Sequence, residues 1–242
     1  TLADVEVLNK KAQEQALDIT KLSTFAYAGV ADNYQILDSG AALGYNNGPL
    51  LIAKKNMTID EINNARIAIP GINTTAHFLF SILFPNAQNK TEILFSDIEK
   101  AIENDIVDCG LIIHETRFTY AQHGFTKLAD MGELWEQKNG MPIPLGCIAI
   151  KRSLPYETKH TIETLIRESV EYAFSHPEEA LLYCKQHAQE MSSQVMQQHI
   201  QLYVNNFSQS LSDKGKNAIE FFYEKALQTG KLIKKPQNIF LT

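Results

Sequence analysis

Arg66-Ile67-Ala68-Ile69-Pro70-Gly71-Ile72-Asn73-Thr74-Thr75-Ala76-His77-Phe78 is the stretch that decides the fold of this 242-residue chain. Ile67-Ala68-Ile69 is apolar without polar alternation, the pattern of a strand covered on both faces. Pro70-Gly71 stops it, and residues 75–84 then read as a helix that is apolar on nearly every side. The same unit recurs downstream. Residues 92–95 read as a strand, Ser96-x-x-Glu99 as a capping box opening a helix over 97–104, and residues 109–113 as another strand buried on both faces. A helix from about 115, a strand near Leu128 and the apolar run 143–150 continue the alternation. Strand–helix–strand repeated in this way predicts a right-handed, mostly parallel sheet flanked by helices.

Upstream, Asp4 reads as the N-cap of a helix over about 5–15, residues 17–19 as a short strand, and Ser23 as the opening of a second helix. Leu50-Leu51-Ile52-Ala53 is a further apolar run behind the turn-rich Gly44-Tyr45-Asn46-Asn47-Gly48-Pro49. After Arg152 the character changes, and residues 158–229 show only helical periodicity. The expected architecture is α/β with two lobes: a larger, discontinuous one from 1–56 and 151–242, and a smaller one from 57–150. The chain would cross between them near 50–57 and 145–152, and a crevice between lobes is a default ligand site. Asp4 has almost nothing ahead of it, so a further segment is expected to precede Thr1.

Composition narrows the function. Apolar residues make up 44% and charged residues 21%, and 22 basic against 28 acidic residues leave a net charge of −6. An acidic globular chain without a basic run is a poor candidate for gripping nucleic acid or an anionic membrane. Its longest strongly apolar stretch, 78–84, falls far short of the ~20 residues of a membrane span. Cys109, Cys147 and Cys184 are widely spaced with no Cys-x-x-Cys pair, which argues against a disulfide framework and a structural zinc site. They fit a reducing cytoplasm, with Cys109 and Cys147 as packing residues. No signal peptide is visible. The sequence allows a homo-oligomer.

Three strand-to-helix junctions carry polar chemistry. In Pro70–Ala76 (70–76), a helix start offers unpaired amides, the positive end of its dipole and the hydroxyls of Thr74 and Thr75, a setting for a carboxylate; the plainer reading is an ordinary N-cap. In Leu111-Ile112-Ile113-His114-Glu115, a histidine falls beyond the carboxyl end of a strand, where open α/β sheets bind ligands and where it can serve as a general base. The plainer reading is a histidine bonded to backbone at the sheet edge. Thr20-Lys21-Leu22-Ser23 places a cation and a hydroxyl at a third junction. His77, His123, His160, His176, His187 and His199 read as surface or packing residues. The three junctions together favour a small anionic ligand, without separating an enzyme from a binding module.

Leu43-Gly44-Tyr45…Gly48-Pro49, Ile69-Pro70-Gly71…Thr74-Thr75-Ala76, Asp108-x-Gly110-Leu111-Ile112-Ile113-His114-Glu115 and Pro142-Ile143-Pro144-Leu145-Gly146, in that order, resemble the 1,4-dihydroxy-6-naphthoate synthase family of the futalosine route to menaquinone. Asp130-Met131-Gly132-Glu133-Leu134-Trp135 and Ala3-Asp4-Val5-Glu6-x-Leu8-Asn9 also match. The resemblance implies a fold like the type-2 periplasmic binding proteins, used as a cytoplasmic lyase without metal or organic cofactor. The implied reaction converts cyclic dehypoxanthine futalosine to 1,4-dihydroxy-6-naphthoate and dihydroxyacetone. His114 matches the family's proton acceptor, Thr74 and Thr75 its paired-threonine substrate contact, and Lys21, Leu22 and Ser23 its first-lobe substrate loop. The family begins with a further strand and a Pro-Cys-Pro-Asn-Asp-type loop, and it more often has small or aromatic residues where Asn46-Asn47 stands. Two alternatives are a non-catalytic carboxylate-binding protein of the same fold and the related chorismate dehydratase; the Ile-His-Glu motif speaks against the latter.

Overall fold

The computed structural model describes residues 2–187 and 192–242, the His187 side chain excepted. They form two compact units, residues 1–44 with 144–242 and residues 45–143.

In unit 1, α1 (Val5–Gln13) starts at Asp4, whose carboxylate accepts from the Glu6 amide at 2.8 Å. Then come β1 (Ile19–Ser23), α2 (Thr24–Tyr27), β2 (Tyr34–Ile36) and β3 (Ala42–Gly44). Unit 2 holds β4 (Leu50–Ala53), α3 (Ile59–Asn64), β5 (Ile67–Ile69), α4 (Thr75–Leu83), β6 (Lys90–Glu92), a 3-10 turn (Phe95–Asp97), α5 (Ile98–Glu103), β7 (Cys109–Ile112), α6 (Thr116–Thr119), β8 (Thr126–Asp130) and α7 (Met131–Asn139). The chain returns along β9 (Ile143–Lys151) and finishes unit 1 with α8 (Tyr156–Ser175), α9 (Pro177–His187), α10 (Ser193–Tyr203), α11 (Asn206–Gln209) and α12 (Ser212–Gln228).

The sheet of unit 1 is built around β9, which pairs antiparallel with β1 on one side and β2 on the other, and also pairs with β3. Buried tyrosines tie the helices and the C-terminal tail to it. The Tyr27 hydroxyl donates to the carbonyls of Tyr34 and Ile239, and the Tyr223 hydroxyl to that of Thr24. Burial pushes both phenols above their ordinary pKa, so they remain donors at any working pH.

The sheet of unit 2 runs β6-β5-β7-β4-β8. β5 is parallel to β6 and to β7, whereas β4 is antiparallel to both β7 and β8. The expected mostly parallel sheet is thus half right in unit 2 and wrong for the β1 and β2 pairings of unit 1. An all-buried run marks a central strand and is silent on direction. The same ambiguity displaced the expected crossings. Leu50–Ala53 is buried throughout because β7 and β8 flank it, which puts it inside unit 2, and the boundaries fall at 44/45 and 143/144.

Helix starts differ from expectation in one place. Ser96 and Glu99 form no capping box: α5 begins at Ile98 with Asp97 as an N-cap that makes no side-chain bond, and Glu99 instead lies 2.9 Å from His123 Nδ1. The reciprocal box belongs to α3, where Thr58 Oγ1 accepts from the Glu61 amide and Glu61 accepts from the Thr58 amide at 2.6 Å. The core of the unit packs Leu50, Ile52, Ala68, Ile98, Ile102 and Ile112 together. Gly110 allows this: a Cβ there would lie 2.5 Å from Ile98 Cγ2.

Candidate active site

β5, β6 and β7 end at one edge of the unit 2 sheet, and β4 starts there. Leu50 pairs with Ile112, and Ala68 with Gly110. His114 lies two residues beyond Ile112, where β7 ends, and Gly48 two residues before Leu50, where β4 begins. His114 is half-buried with φ at +60°, and its ring meets Phe95 edge-on at 5.0 Å between centroids. Left-handed backbone is uncommon for a residue with a Cβ, and such conformations cluster at functional sites. Here it turns the chain straight from β7 into α6. The Thr116 hydroxyl closes the turn by donating to the Ile113 carbonyl at 2.8 Å, while Glu115 is the N-cap of α6 and makes no side-chain cap.

Thr74 and Thr75 lie at the same edge, at the start of α4, and are 2% and 3% exposed. The Thr74 hydroxyl donates to the Gly71 carbonyl at 2.7 Å and accepts from the His77 amide at 3.2 Å. Its oxygen is therefore committed to capping. What α4 presents to a ligand is the positive end of its dipole and its first amides, the His77 amide being taken by Thr74, together with the Thr75 hydroxyl.

The Tyr45–Pro49 loop (45–49) completes the edge. Asn46, with φ at +57°, donates its amide to Glu136 at 2.6 Å, and the Met131 amide donates to the Pro49 carbonyl at 2.9 Å. Arg117 donates to the Gly48 carbonyl and pairs with Asp130 at 2.6 Å. Asp130 in turn caps α7 through the Gly132 and Glu133 amides. Gly48 and Gly132 touch backbone to backbone, and a Cβ on Gly48 would sit 2.2 Å from the Gly132 nitrogen. Asn47, between these anchors, is 1% exposed, and neither its Nδ2 nor its Oδ1 meets a hydrogen-bond partner among the described residues.

Lys21, Leu22 and Ser23 lie on β1 of unit 1. Leu22 is fully buried, backbone included, within the β1–β9 ladder. Lys21 is exposed yet lines a cavity of about 590 Å³ walled by Ile148, Ile162, Ile166, His199 and Tyr203. The surrounding protein lowers its amine below the ordinary lysine pKa, with Cys147 opposing weakly. Ser23 accepts from Asn9 Nδ2 at 3.1 Å and its amide donates to Asn9 Oδ1 at 2.9 Å. Asn9 also donates to Glu6 at 3.0 Å. Asn9 thus orients the Ser23 oxygen, leaving the hydroxyl proton to be given away.

Among the other histidines, His77 Nδ1 lies 2.8 Å from the Ile72 carbonyl, and His160, His176 and His199 stack on Tyr156, Tyr172 and Tyr203. His187 lies outside the described side chains. Burial pushes the Cys109 and Cys147 thiols up to about 12, as packing residues require. Among the described residues no helix is long and apolar enough to cross a membrane.

Comparison with known proteins identifies the family. The family described as Menaquinone biosynthesis matches residues 1–228. A curated protein of Thermus thermophilus named 1,4-dihydroxy-6-naphtoate synthase is 40% identical over 240 residues, 99% of this chain and 87% of its own length. One of the same name from Streptomyces coelicolor is 37% identical over 235 residues, covering 95% and 83%. The crystal structure of an Archaeoglobus fulgidus protein superimposes with a TM-score of 0.91 at 31% identity, over 96% of this chain and 86% of that one. The alkanesulfonate-binding protein of Xanthomonas axonopodis superimposes at 0.67 with 12% identity, over 96% and 82%, which shows the two-lobe periplasmic-binding-protein fold alone. On the strength of these matches over nearly its whole length, the chain belongs to the menaquinone-biosynthesis family that includes the 1,4-dihydroxy-6-naphthoate synthases.

Proposed function

We propose that this protein is a lyase that converts cyclic dehypoxanthine futalosine to 1,4-dihydroxy-6-naphthoate and dihydroxyacetone, with His114 as the general base. The observation that carries the reading is the placement of His114. It is half-buried, held in left-handed backbone beyond the end of β7, and shares that edge with the start of α4. A neutral imidazole there accepts a proton at neutral pH, a contribution typically worth ~10²–10⁴ in rate. Proton abstraction opens the sugar-derived ring of the substrate, and formation of the aromatic naphthalene draws the fragmentation forward. The carboxylate is held by the first-turn amides of α4 and the Thr75 hydroxyl, with Thr74 shaping that turn. In unit 1, Ser23, its oxygen held by Asn9, is a further candidate donor, while the lowered pKa of Lys21 argues against a fixed cation there. The test is turnover of the cyclic substrate by wild type and His114→Ala, with products identified by mass spectrometry. Wild type forms the naphthoate and the variant does not; near-normal turnover by the variant refutes the assignment.

The similarity in fold to an alkanesulfonate-binding protein supports a second reading, a carboxylate-binding protein without chemistry. It requires that the ligand be recovered unchanged from wild type, and the same product analysis decides between the two.

A further inference from the structure

We propose that Asn47 is a substrate-binding residue that reads neutral hydroxyl oxygens in the sugar-derived part of the substrate; this rests on the lyase reading of the same edge. Asn47 is 1% exposed, and both polar atoms of its carboxamide are buried without a partner among the described residues. A buried amide left in this state costs free energy that an apolar side chain of the same size would not. Native proteins rarely keep such a group unless something outside the chain satisfies it.

Its position says where that partner lies. Leu50 pairs with Ile112, so the loop before β4 and the turn after β7 leave the sheet at one edge, and Arg117 of α6 donates to the carbonyl of Gly48, the residue after Asn47. The loop cannot swing the amide elsewhere. Asn46 is tied to Glu136, Gly48 to Arg117 and Pro49 to Met131, and Gly48 is wedged against Gly132. A carboxamide carried on so constrained a backbone is preorganised for its ligand.

The chemistry of the group selects the ligand class. A carboxylate only accepts, so it would satisfy Nδ2 and leave Oδ1 orphaned; an ammonium would do the reverse. A hydroxyl both donates and accepts, and a pair of neighbouring hydroxyls, or a hydroxyl beside a carbonyl, satisfies both ends at once. With the start of α4 assigned to the carboxylate, Asn47 is assigned to the sugar-derived hydroxyls; contact with the ring hydroxyls of the naphthoate instead would raise the inhibition constant along with KM.

The experiment compares wild type with Asn47→Leu, nearly the same size but without polar atoms, and with the smaller Asn47→Ala. Three quantities are read: the melting temperature, KM for cyclic dehypoxanthine futalosine, and the inhibition constant of 1,4-dihydroxy-6-naphthoate, which lacks the sugar-derived hydroxyls. The expected result is KM raised by ~10-fold or more, from lost hydrogen bonds. The naphthoate inhibition constant stays within about twofold, and the melting point of Asn47→Leu does not fall. An unmoved KM overturns the assignment. So does a parallel rise of KM and the inhibition constant, which would mean a general disturbance of the site. A lowered melting point of Asn47→Leu with KM unchanged overturns it too, by showing an internal partner. If Asn47→Leu does not fold, the same two constants of Asn47→Ala decide. Absence of turnover by wild type refutes the lyase reading and this assignment with it, whereas wild-type turnover with an unmoved KM refutes the assignment alone.

Discussion

Thr74→Val separates two roles that one hydroxyl could play. Valine has the shape of threonine, so the change leaves no cavity and removes only the oxygen. That oxygen, on a residue 2% exposed, now makes two bonds inside the protein: it donates to the Gly71 carbonyl at 2.7 Å and accepts from the His77 amide at 3.2 Å. Losing an N-cap of this kind costs about 1 kcal/mol. Losing the bond to a buried carbonyl costs about another 1 kcal/mol. The two together, roughly 2 kcal/mol, correspond to a fall of ~4–8 °C in melting temperature for a chain of this size. Thr74→Ser keeps the oxygen and is expected to melt close to wild type. Turnover at saturating substrate is expected to survive in both, because the first-turn amides of α4 remain. The assay is thermal unfolding followed by circular dichroism, paired with steady-state kinetics on the same preparations. A Thr74→Val protein that melts with wild type but has lost substrate affinity refutes the reasoning, since the hydroxyl would then be serving the ligand and not the helix.

Four further outcomes follow from the same geometry. His114→Gly and His114→Ala are both expected to lose ~10²–10⁴ in turnover. Glycine accepts the +60° φ freely, so His114→Gly is expected to be about 1 kcal/mol more stable than His114→Ala in urea titrations; equal stability would remove the strain argument. Gly48→Ala would drive a Cβ to 2.2 Å from the Gly132 nitrogen and is expected to cost at least ~1–3 kcal/mol, measured by the same titration. With Cys109 and Cys147 buried and their thiols pushed up to about 12, a disulfide exchange reagent at pH 8 is expected to modify Cys184 alone in the native protein and all three cysteines in denaturant. Hydrogen bonding from Arg66 holds the Asp108 carboxyl below the usual carboxylate range. A depressed folded pKa contributes stability above the ordinary value, and that contribution is lost as pH falls through the folded value. Arg66→Gln is therefore expected to be less stable than wild type at pH 7, with the gap closing under strongly acid conditions.

The fold was legible where periodicity was strong and ambiguous where direction mattered. Ile67–Ile69, the helix from Thr75 and the helical tail follow from apolar spacing alone, and the structure has them within a residue or two. β4 did not, because a strand flanked on both sides looks the same whether its neighbours run with it or against it. Ser96-x-x-Glu99 has the spacing of a capping box, but the N-cap of α5 falls one residue later, at Asp97, a shift no local pattern reports. For the site, His114 and the two threonines were visible as polar residues at strand ends. Three features were not: the left-handed backbone of His114, the internal use of the Thr74 hydroxyl and the grip of Asn9 on Ser23. Each depends on a partner distant in sequence or on a dihedral angle. The pair Asn46-Asn47 between glycines was noticeable as a turn, yet nothing local says that one of the two side chains is buried without a partner.

The two edges of the unit 2 sheet make the physical contrast between holding a fold and holding a ligand. At the edge where β4 ends and β5 and β7 begin, Lys54 pairs with Asp105 at 2.7 Å and Arg66 with Asp108 at 2.7 Å. A cavity of about 670 Å³ lies there, and two of its charged lining residues, Asp105 and Asp108, are held by Lys54 and Arg66. The opposite edge carries a histidine in a backbone conformation that costs of order 1 kcal/mol or more, and an asparagine buried with both ends unsatisfied. Neither feature stabilises the protein. Left-handed backbone alone does not separate the edges, since Asp105 at the other edge has φ at +56°. An asparagine buried with both ends unsatisfied, beside a histidine and a helix start suited to a carboxylate, is what a fold retains when a ligand rather than stability decides the local sequence.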